Sequence, residues 1–464
     1  MKIDLKNIYF NILLVITIST VAFSIKVSKD VDAYIEGDGR TYISVAQDIY
    51  ETGYFTNGNF SNEARSQTPH NEGMFFAPAY PYILSLFLKY DTAFRESVLC
   101  QMAIHPAKVE ASDCGKNYGL FVPLQTAAII LSSLFIWLSA YVMFNRKLAI
   151  PWLALIISFA VKDFGYYASN FYVESFAQFF YCGAAFFGLM LWKDKKLLFA
   201  VLSGLFWGVG ALVKPTYVYG FYFFFIISAP ILFFSAQNKI KTTKATGLLV
   251  LIALSYLAAT SFWMHRNYQL ADKFTISDGY GSFILAQRVS YNDMRPKEYA
   301  ASFVFWLPDF GDSLAYDLFK KEDVERLAFE TPHGFYQRGQ DEVMNETLEK
   351  AGGYANHLSY LLHEEVFGNI TKHTLVTLPL VWRGMFISKY WGLVAIILFI
   401  VALVALTRRK QYDFFLYALP IWFMVGLNGF VSVSISRYNL GLIAILSIGA
   451  AWCIYTLYET RIKN

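Results

Sequence analysis

Residues 119–144 read GLFVPLQTAAIILSSLFIWLSAYVMF, 26 consecutive positions without Asp, Glu, Lys or Arg. At 1.5 Å per residue a helix of this length reaches about 39 Å, more than the roughly 30 Å hydrocarbon core of a bilayer. Nine further apolar runs lie near residues 8–25, 148–161, 171–192, 197–213, 216–235, 245–264, 390–406, 412–427 and 438–457. Across all 464 residues 56% are apolar and 16% charged, against about 25% charged in soluble domains. So little charge cannot cover a soluble surface. Composition therefore excludes a disordered chain, a fibre, a nucleic-acid-binding tail and a soluble enzyme. What remains is an all-α polytopic membrane protein of about ten transmembrane helices.

The first run follows Lys2 and Lys6, and no small-residue cleavage site comes after it, so it reads as an uncleaved first span. Basic residues set the orientation. With a cytoplasmic N-terminus, the inside segments hold 15 Lys and Arg but only four acids, Asp4, Asp194, Asp413 and Glu459. Both termini are then cytoplasmic, and residues 26–118 and 265–388 lie outside. These two segments carry 12 acids against 8 bases and 17 against 12, so neither is a nucleic-acid surface. The organisation expected is a transmembrane module over 1–264 containing the loop 26–118, an extracytoplasmic cap over 265–388, and C-terminal transmembrane helices over 389–464.

Cys182 and Cys453 fall in apolar runs and read as packing. Cys100 and Cys114 bracket the insert CQMAIHPAKVEASDC in the first outside loop. An oxidising compartment favours a disulfide there; a metal set with His105 lacks zinc-like spacing.

In YIEGDGRTYISVAQDIYETGYF (34–55), Gly37 and Gly39 allow a tight turn around Asp38. From Thr41 onward Tyr42, Val45, Ala46, Ile49 and Tyr50 recur every three or four positions, the pattern of an amphipathic helix lying on a membrane surface. Asp38 stands where a helix N-cap belongs, and capping is the plain alternative to a chemical role. FFAPAYPYILSLFL (75–88) reads as a second interfacial helix. Residues 265–388 mix short aromatic strands or loops with helices such as 313–329 and 340–364, and 374–387 returns to the interface.

Charges at span ends need an explanation. Glu174 in NFYVESF opens the fourth span, where the helix dipole would favour it in any case. Lys214 in GLFWGVGALVKPTY closes the fifth, where it could simply snorkel. His265 and Arg266 in FWMHRN close the seventh, with an interfacial histidine as the plain reading of His265. Arg437 and Tyr438 in SRYNL open the tenth. No P-loop, HExxH, GxSxG or GxGxxG motif occurs; His363-Glu364-Glu365 lacks a second histidine. NxS/T sequons begin at Asn59, Asn345 and Asn369, and no internal repeat of the kind found in transporters is evident.

The order of these features resembles the GT-C glycosyltransferases, and among them protein O-mannosyltransferases, lipid A aminoarabinose transferases and lipopolysaccharide-core galacturonosyltransferase-like enzymes. The shared pattern is an acid just past the first span, a surface helix leaving through Gly-Tyr-Phe, a P-x-Y-P helix, and the segments around Glu174, Lys214, Arg266 and Arg437. It covers about residues 1–460. The chain departs from it at Lys214, where the family has Arg, at Leu440 and Gly441, where it often has Pro, and at Glu36, which glycine separates from Asp38. The resemblance implies a GT-C bundle that moves a sugar from a polyprenyl-phosphate donor to a glycan, lipid or protein acceptor, in a bacterial inner membrane with the site facing the periplasm or exterior. It implies Asp38 as catalytic acid or base with Glu174 beside it. Lys214, Arg266, Arg437 and Arg40 would hold the donor phosphate, with Arg383 in reserve, and Glu36, His265 and Tyr438 would give support. Some relatives use a divalent metal ion, for which Asp38 and Glu174 would be the ligands. The rival classes are a lipid-linked sugar transporter and a non-catalytic envelope scaffold.

Overall fold

A computed structural model describes residues 5–30, 34–58, 72–104, 108–109, 112–144, 147–234 and 242–463. Asn59 and His105 lie outside the described residues. Every regular element among those described is helical, so of the aromatic strands or loops expected in 265–388 no strand is observed. The protein is all-α and polytopic. Among the described residues eight helices are long and apolar enough to span a bilayer, fewer than the ten expected. A ninth is a pair bent by 64°, and the fifth expected span, 197–213, is a helix of 17 residues, short of that length.

The chain divides into two compact units. The first comprises residues 1–277, 406–417 and 450–464. Its helices are α1 (Leu5–Asp30), α2 (Asp38–Thr52), α3 (Ala79–Tyr90), α4 (Thr92–Ala103), α5 (Phe121–Met143), α6 (Ala149–Phe159), α7 (Asp163–Ser169), α8 (Glu174–Asp194), α9 (Leu197–Val213), α10 (Tyr217–Phe234) and α11 (Thr242–Ala271). The bend falls between α6 and α7, where the sequence Val161-Lys162-Asp163 interrupts the apolar run. A bend frees backbone carbonyls, which lipid cannot satisfy. Lys26 on α1 meets them, donating to the carbonyls of Phe159 at 2.5 Å and Val161 at 2.7 Å.

Lipid tails are as apolar as leucine, so close packing has to hold the spans together. Gly204 and Gly208, one turn apart on α9, supply it against α11. A Cβ on Gly204 would stand 2.3 Å from the Ile252 carbonyl oxygen, and one on Gly208 2.8 Å from the Ala259 Cβ.

The second unit comprises residues 278–405 and 418–449. It contains α12 (Tyr280–Val289), α13 (Pro296–Phe305), α14 (Gly311–Leu318), α15 (Lys321–Glu325), α16 (Phe335–Arg338), α17 (Met344–Lys350), α18 (Tyr354–Tyr360) and α19 (Ile370–Met385). The long helices α20 (Tyr390–Arg408), α21 (Tyr412–Val431) and α22 (Leu442–Lys463) follow, running through both units. The helix expected over 313–329 breaks at the extended residues Phe319 and Lys320. The one expected over 340–364 breaks at Gly352 and Gly353, whose φ values of +68° and +121° no helix tolerates. Wider π-turns occupy Gly339–Val343 and Leu361–Phe367.

Tyr291, Trp306, Leu327, Phe335, Val376 and Leu380 form the core of this unit. Beside it the buried Glu298 carboxylate accepts from Arg295 at 2.8 Å and Arg326 at 2.6 Å. Arg288 is 0% exposed and pairs with no carboxylate among the described residues. It donates to the carbonyls of Gly429 and His373, each at 2.8 Å, and to Thr377 and Asn292. Burial pushes its pKa down to about 9.

Candidate functional site

The turn that presents Asp38 is fixed from behind. The Ile35 N–H donates to Gln101 Oε1 at 3.1 Å, and the same amide donates to Gly115 O and the Tyr118 hydroxyl. Gln101 is buried one residue past Cys100, which forms a disulfide with Cys114 at a Cα–Cα distance of 5.7 Å. The expected crosslink is therefore present, and it staples the segment that orders the approach to α2.

Gly37, at φ +49°, occupies the cap position, and Asp38 is the first residue of α2. Asp38 is thus not the N-cap that its sequence position suggested. A carboxylate in a first turn still gains from the helix dipole. Gly39 lies against the segment that leads into α8: a Cβ there would be 2.9 Å from the Phe171 Cβ. Only glycine lets the start of α2 sit so near Phe171, three residues before Glu174.

Glu174 is the first residue of α8, and Lys214 is the C-cap of the antiparallel α9. The positive end of one helix dipole and the negative end of the other meet here, each matched by its side chain. Lys214 Nζ lies 3.6 Å from Glu174 Oε1, with the side chains 17% and 5% exposed. Two residues singled out separately in the sequence are therefore one buried ion pair.

Tyr80 on α3 joins the two acid-bearing elements. Its ring meets Tyr42 of α2 edge-on at 5.1 Å and lies 5.9 Å from Phe176 of α8. Tyr80 is 0% exposed. Burial, then the Glu174 carboxylate and Tyr172, push its pKa well up, so the phenol stays protonated.

Two expected phosphate ligands have other work. Arg40 donates to the carbonyls of Gln101, Met102 and Ile104 at 2.9 to 3.2 Å, closing the C-terminal end of α4. Arg266 donates to Gly73 O at 2.6 Å and Phe55 O at 3.2 Å, pairs with Glu72 at 3.7 Å, and stacks on Trp263 at 4.5 Å. It clips together the two ends of the segment between residues 55 and 73. Asp48, buried on α2, accepts from the Thr56 hydroxyl beside the same clip. Glu36 and His265 are exposed.

In the second unit, Arg437 and Tyr438 lie on a 3-10 turn, Ser436–Asn439, ahead of α22 rather than within it. Tyr438 packs on the aromatic core. Asn439 donates to Gly384 O at 3.1 Å, which ties the turn to the residue after Arg383. The Arg383 guanidinium stands 5.2 Å from the Trp306 ring and 4.9 Å from Phe329, and donates to the Tyr291 hydroxyl at 3.3 Å.

Among the described residues no three His, Cys, Asp or Glu side chains gather as a metal site. The cation beside Glu174 is Lys214. No third such side chain joins Asp38 and Glu174 among the described residues.

Fold and site together describe a helical membrane protein with Asp38 opening α2 and a buried ion pair where α8 begins and α9 ends. No family model matches the chain, and no curated protein matches it. Among solved structures it is similar to an oligosaccharyltransferase of Archaeoglobus fulgidus, in complex with zinc and sulfate, at 11% identity and a TM-score of 0.45, over 96% of this chain and 49% of that one. It is also similar to ArnT of Cupriavidus metallidurans bound to undecaprenyl phosphate, at 11% identity and a TM-score of 0.34, over 95% of this chain and 77% of that one. The chain spans about half the length of the first.

Proposed function

We propose that the protein is a membrane glycosyltransferase that moves a sugar from a polyprenyl-phosphate donor to a hydroxyl of a glycan, lipid or protein acceptor. The reaction takes place at the extracytoplasmic face of a bacterial inner membrane. The observation that carries this reading is Asp38, first in α2 and seated through Gly39 on the segment leading to the Glu174–Lys214 pair. Asp38 accepts the proton of the acceptor hydroxyl. The hydroxyl oxygen bonds to the anomeric carbon, the carbon–oxygen bond to phosphate breaks, and polyprenyl monophosphate leaves. Its charge calls for fixed cations. In the first unit that cation is Lys214, held in place by Glu174. Arg40 and Arg266 are left to structure.

The test is sugar transfer from isoprenoid-phosphate sugars by purified protein in lipid. Transfer that is abolished in Asp38→Asn supports the reading. Absence of transfer by the parent across hexose, pentose and uronic-acid donors would refute it.

A further inference from the structure

Tyr80 belongs to none of the roles assigned above. Its ring is fully buried, and its hydroxyl has no hydrogen-bond partner among the described residues. A buried phenol that serves only packing is disfavoured, because phenylalanine fills the same space without stranding a polar atom. An unmet hydroxyl on a tyrosine wedged between α2 and α8, within electrostatic reach of Glu174, is a donor without an acceptor among the described residues.

We propose that Tyr80 is a catalytic residue of the transfer reaction, its hydroxyl donating a hydrogen bond to an oxygen of the glycosyl donor where α2, α3 and α8 meet. This rests on the glycosyltransferase reading. The Glu174 carboxylate is engaged by Lys214, so the phenol's donor stays available to a substrate oxygen. The ring holds its place through Tyr42, Phe121 and Phe176 whether or not the hydroxyl is there.

The two possible jobs of the hydroxyl move stability in opposite directions. A structural hydroxyl has an internal partner, so removing it lowers Tm. A hydroxyl kept for substrate is unmet in the free protein, so removing it leaves Tm unchanged or raises it, at the expense of activity. The experiment is Tyr80→Phe in detergent and in lipid, with thermal unfolding and steady-state transfer from an undecaprenyl-phosphate sugar measured on the same preparation. The expected result is a Tm at or above the parent's with kcat/KM about tenfold lower, the loss typical of one hydrogen bond made only to substrate. Tyr80→Leu, which also removes the wedge, should lower both. A lower Tm for Tyr80→Phe, or a kcat/KM equal to the parent's, overturns the assignment while leaving the glycosyltransferase reading intact. A parent that transfers no sugar from any isoprenoid-linked donor removes that reading and this one with it.

Discussion

The Glu174–Lys214 pair allows a quantitative test that separates folding from chemistry. Two unit charges 3.6 Å apart attract by about 5 kcal/mol at an effective dielectric near 20. Desolvation opposes this, so the net worth of the pair is far smaller, but removing one partner strands the other. For a buried pair that step costs roughly 3–5 kcal/mol. Glu174 is the more deeply buried side chain, at 5% against 17%, so stranding it is the worse choice. Lys214→Met should therefore destabilise by roughly 3–5 kcal/mol, and Glu174→Gln by less, since the lysine can extend towards water. The double variant, with no charge left, should recover most of the loss. Unfolding in mixed micelles, read by tryptophan fluorescence, gives all four corners of the cycle. A coupling energy below about 1 kcal/mol would show that the pair is not a buried interaction at all. Transfer activity should stay low in the recovered double variant, because a neutral pair cannot meet a departing phosphate.

Asp38→Asn should keep the fold and lower turnover by about 10²-fold or more in a transfer assay; since Gly37 holds the cap position, no loss of helix capping complicates the result. Gly204→Leu should force α9 away from the Ile252 carbonyl and cost upwards of about 2 kcal/mol, seen as a reduced monodisperse fraction on size-exclusion chromatography. Cys114→Ser opens a loop of about 15 residues, worth roughly 3 kcal/mol in the chain-entropy model, and should lower Tm and loosen the Ile35–Gln101 contact behind Asp38. Burial first, and the neighbouring Arg288 guanidinium second, push the His373 pKa down to about 4. It is neutral when folded and takes a proton near pH 6.5 when unfolded. Stability should therefore fall as pH drops from about 6.5 to about 4, and His373→Gln should flatten that slope in thermal unfolding.

The spans were legible in the sequence because lipid imposes one rule on every residue of a crossing helix. The shorter features were not. Arg40 and Arg266 carry the same charge as a phosphate ligand, and only the folded chain shows the carbonyls of Gln101, Met102, Ile104, Phe55 and Gly73 around them. Glu174 and Lys214 were each visible at a span end, but their pairing depends on α8 and α9 running antiparallel. Asp48 was hidden because a buried acid breaks the apolar periodicity that marks a helix face. Tyr80 and Arg288 gave no signal at all: a tyrosine in an aromatic-rich chain and an arginine in a polar segment look ordinary until their surroundings are known. The breaks at Gly352 and Gly353 were within reach, since two adjacent glycines seldom continue a helix.

The Lys26 contact with the bend between α6 and α7 bears on how the chain is made. The first span leaves the ribosome more than a hundred residues before Phe159 and Val161, whose carbonyls its lysine will serve. Until they arrive that ammonium must remain near the headgroups or in the insertion machinery. When they arrive, the bent pair is stable in lipid only if the first span is alongside to receive it. Biogenesis of the sixth and seventh helices is thus coupled to retention of the first. A Lys26→Met protein should be synthesised normally and then be degraded, an assembly defect that an activity screen alone would mistake for a catalytic one.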